Sequence, residues 1–328
     1  MHSNSVRCRC SCAARRPLNW NSLHVDHASL ALCAAKLAAS DHARRRGGKV
    51  IALVMPVGGG VRLGFQTGFL YDSLGAPWPA AMRAPRAERI GWFRDPRARR
   101  ALGRAAAAER RHRGLVAWAD MVVYETFHPA HVGVRGRTIG DLARARGCEP
   151  WDALCDLVVA DGLRTSFGPP PRGATRRDWA AKAAVIRDRR TVIGGSDAGA
   201  HVDMIADYAY PTRLFAEAVR AHRALSIEEA VHQLTERPAR LYGLRDRGRL
   251  VEGGHADFVV LDAATVDVGE LEQRHDLPGG AARLHACPRG VDYVGVNGVL
   301  AIDRCRPTGA RCGALLRAGA DTTTPSLE

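Results

Sequence analysis

The run Lys49-Val-Ile-Ala-Leu-Val-Met55, closed by Pro56, limits the fold of this chain more than any other stretch. A continuous apolar run cannot alternate between a wet face and a dry one. A strand made from it is buried on both faces, as in a parallel sheet covered by helices. Its upstream neighbours fit that reading. Leu18-Asn-Trp-Asn-Ser-Leu23 alternates apolar and polar residues as a half-buried strand does. Residues 29–46 are Ala/Leu-rich, offer Ser29 as N-cap and stop at Gly47-Gly48, which reads as a helix with its end signal. Strand, helix, strand is a βαβ unit, and Thr191-Val-Ile-Gly-Gly195 supplies a third short buried strand. The fold class is α/β.

Residues 57–190 are longer than a plain crossover needs, and such an excursion between strands shapes a substrate pocket or a lid. Helices are expected near 96–112, 138–147 and 149–159. Ser226-Ile-Glu-Glu229 has the form of a capping box and opens a helix running to about Leu241. Ala256–Leu261 and Tyr293–Gly298 read as strands flanked by turn chemistry. Residues 1–14 have no hydrophobic period and read as a disordered or foreign start. The stretch after about Thr308 is Ala/Gly/Thr-rich and reads as a loose tail.

Charge and cysteine content exclude more than they assign. The formal net charge of +14 invites a nucleic-acid partner. Only three of the 48 basic residues are lysine (Lys36, Lys49, Lys182), and the arginines are spread along the whole chain. Solvated surface arginine is therefore the expectation, with no nucleic-acid partner. No apolar run approaches the ~20 residues that span a bilayer, so no membrane partner is expected. Nine cysteines without paired spacing read as reduced thiols of a cytoplasmic protein.

Chemistry concentrates at the strand end Ile193-Gly-Gly-Ser-Asp197-Ala-Gly-Ala-His201. An Asp at the C-terminal end of a barrel strand can bind a divalent metal and accept a proton from water. The same Gly-Ser-Asp text also suits an N-cap or an Asx-turn. His201 can polarise a carbonyl or hold the turn. Tyr210 can shape a pocket or pack, and the planar fork of Arg213 suits a substrate carboxylate. His24 and His27 read as surface or helix-start residues, and His128 and His131 as solvent-facing ones. Gly58-Gly59-Gly60 lacks the Lys-Ser/Thr of a phosphate loop and reads as flexible lid backbone.

Several segments, in this order, resemble the N-acyl-D-amino-acid deacylase (D-aminoacylase-like) branch of the amidohydrolases. They are Gly194–His201, Tyr210-Pro-Thr-Arg213, Ser226–Val231, Glu236–Leu244, Arg247–Asp262 and Val294–Gly298. The resemblance implies a metal-dependent-hydrolase (β/α)8, TIM-like barrel with an inserted subdomain, and a small β-sandwich. It implies zinc or another divalent metal, an N-acylated amino acid as the small-molecule substrate, and hydrolysis of a linear amide. Asp197 would be both metal ligand and acid/base, with His201, Tyr210 and Arg213 at the substrate.

On this reading residues 1–15 are a non-family start and 16–245 the C-terminal part of the barrel, with 57–190 inserted; 246–308 are β-domain strands and 309–328 the tail. The family's opening His-x-His pair has no counterpart here, and the middle-strand position nearest a metal histidine is Asn21. Three barrel strands can be placed where about eight are needed. The chain therefore reads as N-terminally truncated and impaired on its own. A catalytically dead fragment with a binding role and a cyclic-amide hydrolase are the other readings.

Overall fold

A computed structural model describes residues 9–56, 61–170, 173–196 and 199–327. Along the chain come β1 (Leu18–His24), α1 (Leu30–Arg44), β2 (Val50–Met55), α2 (Trp78–Arg83), α3 (Arg86–Arg94), α4 (Pro96–Ala108), β3 (Val122–Glu125), α5 (Ile139–Arg146), α6 (Pro150–Ala160) and β4 (Ser166–Gly168). Then follow α7 (Arg176–Arg187), β5 (Thr191–Ile193), α8 (Tyr210–Leu214), a π-helical segment Phe215–Ala221, α9 (Ile227–Leu234) and α10 (Glu236–Tyr242). The last elements are β6 (Phe258–Leu261), β7 (Leu271–Arg274), β8 (Arg283–Ala286), β9 (Val291–Val296), β10 (Val299–Asp303) and β11 (Arg306–Pro307). Contacts divide the chain into two compact units: Met1–Gly59 with Gly173–His201 and Ala206–Glu328, and Gly60–Arg172 with Val202–Ile205.

The first unit is built on a three-stranded parallel sheet of order β1-β2-β5. Leu18 pairs with Val50 and His24 with Met55, with a register irregularity between Trp20 and Leu23. Ala52 and Val54 pair with Thr191 and Ile193. Five of the six β2 residues are buried, as the unbroken apolar run requires. Leu37 and Ala43 of α1, Trp179 and Ile186 of α7, Phe215 and Ala218 of the π-segment and Ala230 of α9 complete this core. The C-terminal part adds a four-stranded antiparallel sheet (β11-β10-β9-β6) and the hairpin β7–β8.

Local chemistry sets the element ends, sometimes differently from the sequence expectation. Ser29 makes no cap bond to α1. A short 3-10 turn precedes that helix, which moves the cap back to Asp26: its carboxylate accepts from Ser29 N (2.7 Å), and Ser29 Oγ accepts from Asp26 N (2.9 Å). The Ser226–Glu229 capping box forms as expected, with Ser226 Oγ accepting from Glu229 N at 3.1 Å and Glu229 Oε2 from Ser226 N at 2.9 Å. The helix it opens stops at Leu234 instead of running to Leu241. Thr235 leaves helical geometry (φ −123°, ψ −79°) with its hydroxyl bonded back to Val231 O, and Pro238 has no N–H to return to Leu234.

The described residues near both ends of the chain are bonded to the first unit. Residues 9–14 are helical, and the buried Ser11 donates to Arg16 O (2.7 Å) and accepts from Lys49 N (2.9 Å). Thr323 N donates to Gly243 O (2.8 Å), and Lys49 Nζ donates to Ser326 O (3.0 Å). Gly243 ends α10 at φ +64°, and a Cβ there would lie 1.9 Å from Thr323 O, so glycine is needed twice over.

The second unit has its own core. Phe65 is stacked on Phe93 (centroids 4.5 Å apart) and meets Tyr71 (4.9 Å) and Phe167 (5.2 Å) edge-on. The polar tips are satisfied: Trp78 Nε1 donates to Leu102 O (3.1 Å), Trp151 Nε1 to Arg99 O (2.9 Å) and Tyr71 Oη to Leu115 O (3.2 Å). The buried Asp161 carboxylate accepts from Thr126 Oγ1, Thr165 Oγ1, Phe127 N and His128 N. That holds the loop after β3 and keeps the carboxyl below its ordinary value despite burial, which acts to raise it.

In the first unit, Arg237 of α10 donates to Ile186 O (3.1 Å), Asp188 O (3.3 Å) and Thr191 O (2.5 Å), tying the end of α7 to the start of β5. Arg237→Met, which leaves those carbonyls short of a donor, is expected to cost about 1–3 kcal/mol in urea unfolding. Arg240→Met on the same helix, where the guanidinium is exposed beside Glu236, is expected to cost less than about 1 kcal/mol.

Candidate active site

Parallel pairing brings the C-terminal ends of β1, β2 and β5 to the same end of the sheet, and the chemistry-bearing residues gather there. β1 delivers Ser22 and His24, whose Oγ and Nε2 lie 2.8 Å apart. Beyond β5, Gly194 N donates to Val54 O (3.0 Å), extending the pairing by one residue. Gly195 then turns at φ +78°, and a Cβ on it would sit 2.0 Å from Asn21 Oδ1. The Asn21 amide therefore rests on the Gly195 backbone. Asn21 is the residue matched at sequence level to a metal histidine, and here it packs against the chain just ahead of Ser196.

The loop after β1 is fastened to α7. Asp178, buried, accepts from His27 N (2.9 Å), His27 Nδ1 (2.7 Å), Thr175 N (3.1 Å) and Thr175 Oγ1 (2.5 Å). These donors, the His27 backbone N–H foremost, hold its carboxyl well below the usual carboxylate range. One turn on, Lys182 is buried, donates to Gly173 O (2.6 Å) and lies 4.4 Å over the Trp179 ring, which in turn stacks on His222. Burial pulls its ammonium below the ordinary lysine value, opposed by Glu217, Asp178 and Asp26. The sequence held a signal for the first of these groups, since Thr175-Arg-Arg-Asp178 has capping-box spacing. Lys182 stood out only as a rare lysine in an apolar stretch.

The residues singled out from sequence are placed as follows. Asp197 lies outside the described residues, as do Gly58, Gly59 and Gly60. His201 is exposed, at φ +50°. Tyr210 begins α8, half-buried, with its phenol pushed above the ordinary value by burial and by Tyr242. Arg213, three residues along the same helix, has Glu217 Oε1 3.8 Å away, so its fork already faces a carboxylate of the chain. His24 and His27 are both exposed, as expected, and His27 opens the 3-10 turn with its Nδ1 bonded to Asp178. In the second unit the expectation of two solvent-facing histidines fails for His131. A 3-10 turn over Pro129–His131 folds it inward, and its buried Nδ1 has no hydrogen-bond partner.

The described residues do not fit a metal centre. Among them no group of three His, Cys, Asp or Glu side chains is placed to hold an ion. His24 is bonded to Ser22 and His27 to Asp178, and Asn is a poor zinc ligand beside His.

Residues 89–302 match the sequence profile of the amidohydrolase family, and the chain belongs to that family. It is D-aminoacylase-like within it. An N-acyl-D-glutamate deacylase of Alcaligenes xylosoxydans xylosoxydans is 29% identical over 192 residues, covering 58% of this chain and 36% of that protein. An N-acyl-D-aspartate deacylase of the same organism is 35% identical over 108 residues, covering 33% and 20%. An uncharacterised protein of Mycobacterium tuberculosis is 35% identical over 160 residues, covering 45% of this chain and 25% of that one. Among solved structures, the N-acyl-D-glutamate deacylase of Bordetella bronchiseptica, complexed with zinc and a phosphonate inhibitor, aligns over 89% of this chain and 48% of its own at 19% identity and a TM-score of 0.44. A D-aminoacylase aligns over 90% and 48%, also at 19% identity, with a TM-score of 0.46. The chain thus spans about half the length of these solved proteins and 20–36% of the curated relatives.

Two outcomes follow from the geometry. Gly195→Ala is expected to destabilise the strand end by about 1–3 kcal/mol, through positive φ and the clash with Asn21. Asn21→Ala in the same chain should recover the steric part, as read by urea midpoints of the two single variants and the double. The Asp178 carboxyl is depressed in the folded state, so its contribution is full above the unfolded carboxylate value of about 3.9 and is lost as pH falls toward its folded value. Asp178→Asn should lower the midpoint at pH 7 and flatten the loss of stability below about pH 4.

Proposed function

We propose that this chain is the part of a deacylase that carries the last-strand acid/base, and that the whole activity is hydrolysis of the linear amide of an N-acylated D-amino acid. The observation that carries the reading is the family match over residues 89–302, together with deacylases of acidic D-amino acids among the relatives. In this reading Asp197, which follows the Gly194-Gly195-Ser196 turn, takes a proton from the attacking water and passes it to the amine nitrogen as the C–N bond breaks. Tyr210 and Arg213, on one face of α8, and His201 border the substrate, with Arg213 dividing its fork between Glu217 and a substrate carboxylate.

The resemblance implies zinc or another divalent metal. The described residues supply no ligand cluster for one. For the same reason the chain by itself is proposed to be impaired. The barrel-and-sandwich architecture of the family is likewise proposed as the frame to which the β1-β2-β5 sheet and the β11-β10-β9-β6 sheet belong.

The test is hydrolysis of N-acetyl-D-glutamate, N-acetyl-D-aspartate and their L forms by the 328-residue chain with zinc present, alongside Asp197→Asn and with bound metal measured directly. The expected outcome is slow turnover of the D forms, reduced about 10²-fold or more in Asp197→Asn. Turnover equal in the two proteins would remove Asp197 from the mechanism. A fully inert chain that binds zinc would favour the dead-fragment reading, and turnover of a cyclic amide instead would favour the cyclic-amide hydrolase.

A further inference from the structure

We infer that the outer face of α4 and the loop after it form a docking surface for a nucleic-acid phosphate backbone, bound without regard to base sequence. Arg97, Arg100 and Arg104 recur at spacings of three and four, which puts them along one side of the helix, opposite the buried Leu102 and Ala106. Arg94 precedes this row, and Arg110, Arg111 and Arg113 follow it. All seven are exposed, and none has a side-chain hydrogen bond or ion pair among the described residues. Arg99, turned the other way, shows the contrast: it is paired with Asp152 (3.5 Å) and Asp156 (2.7 Å).

The acids within the same stretch are already engaged. Asp95 caps α4 through Ala98 N (2.7 Å), and Glu109 accepts from Arg111 N (2.5 Å) and His112 N (2.9 Å). Four of the free arginines, Arg100, Arg104, Arg110 and Arg113, line one open groove of about 760 Å³. Glu109, Asp120, Glu149 and Asp152 line it as well and balance those four, so the excess positive charge of this face lies on Arg94, Arg97 and Arg111 outside the groove.

The occupant follows from charge complementarity. A chain of net charge +14 repels a second copy of itself at this face, so the partner is an external polyanion. The planar guanidinium fork binds phosphate oxygens in pairs. The row from Arg97 to Arg104 covers roughly 10 Å of helix at about 1.5 Å per residue, over which a duplex offers several phosphates. The indoles bordering the groove are not stacking platforms, since Trp118 is nearly buried and Trp151 is bonded to Arg99 O. Contact is therefore through phosphates alone, with no base readout.

The test is fluorescence anisotropy of a labelled 20-base-pair DNA duplex of arbitrary sequence, titrated with the full chain across a salt series. Arg97→Gln/Arg100→Gln/Arg104→Gln is compared with a charge-matched control, Arg289→Gln/Arg306→Gln/Arg311→Gln, all three exposed and in the other compact unit. The expected result is affinity that falls with salt, weakened about tenfold or more by the α4 triple, with the salt slope reduced by about 2–3, and changed less than about twofold by the control. Equal losses in the two triples would show that net charge alone binds DNA and would overturn the proposal. So would absence of binding at low salt, or competition by polyglutamate as effective as by unlabelled duplex, which would make the face a site for an acidic polypeptide.

Discussion

Parallel pairing of β2 with a strand on each side is the constraint on which the first unit depends. β2 contributes Val50, Ile51, Ala52, Val54 and Met55 to the buried interior and cannot turn either face to water. Both its faces must therefore be covered, and α1, before it in sequence, and α7, after it, share its core. Because β1 and β5 run the same way as β2, their ends release the chain at the same end of the sheet. Asn21 and Gly195 meet there although their strands do not pair with each other.

Around that apolar strand, a few buried or half-buried polar side chains decide where loops go. Asp178 fixes the turn after β1, Arg237 fixes the entry to β5, and in the second unit Asp161 fixes the loop after β3. Each serves several backbone groups at once. Apolar packing is indifferent to small shifts along a strand, whereas a carboxylate with four donors or a guanidinium with three carbonyls is not.

The parts legible in the sequence were those governed by local rules. β2 and β5 follow from runs of buried residues, β1 from its apolar and polar alternation, and the Ser226–Glu229 box from its spacing. What escaped was decided by tertiary contact. Ser29 lost its capping role because a 3-10 turn intervened, and residues 9–14 became helical because Ser11 found bonds at Arg16 and Lys49. His131 went inward for the sake of a turn, and Arg213 acquired Glu217. None of these leaves a periodic trace. The same holds for charge: arginines that look evenly spread along the chain become unequal once Arg99, Arg187, Arg190 and Arg237 are taken up by partners and the α4 row is not.

This bears on what the family match can carry. Many of the segments that resemble the deacylases have structural work in this chain. Glu229 closes a capping box and pairs with Arg187, Arg237 binds three carbonyls, Gly243 ends a helix where a side chain would strike Thr323 O, and Arg247 is paired with Asp257 and bonded to Asn297. Similarity concentrated on such residues argues strongly for a shared framework and only weakly for shared chemistry. The chemical part of the likeness rests on far fewer positions, with Asp197 first among them. A framework can persist while its catalytic set is altered, because cap bonds and carbonyl anchors support folding whether or not a substrate is ever turned over. For this chain, then, kinship is secured by the framework, and the role proposed for Asp197 is a separate matter that its substitution decides.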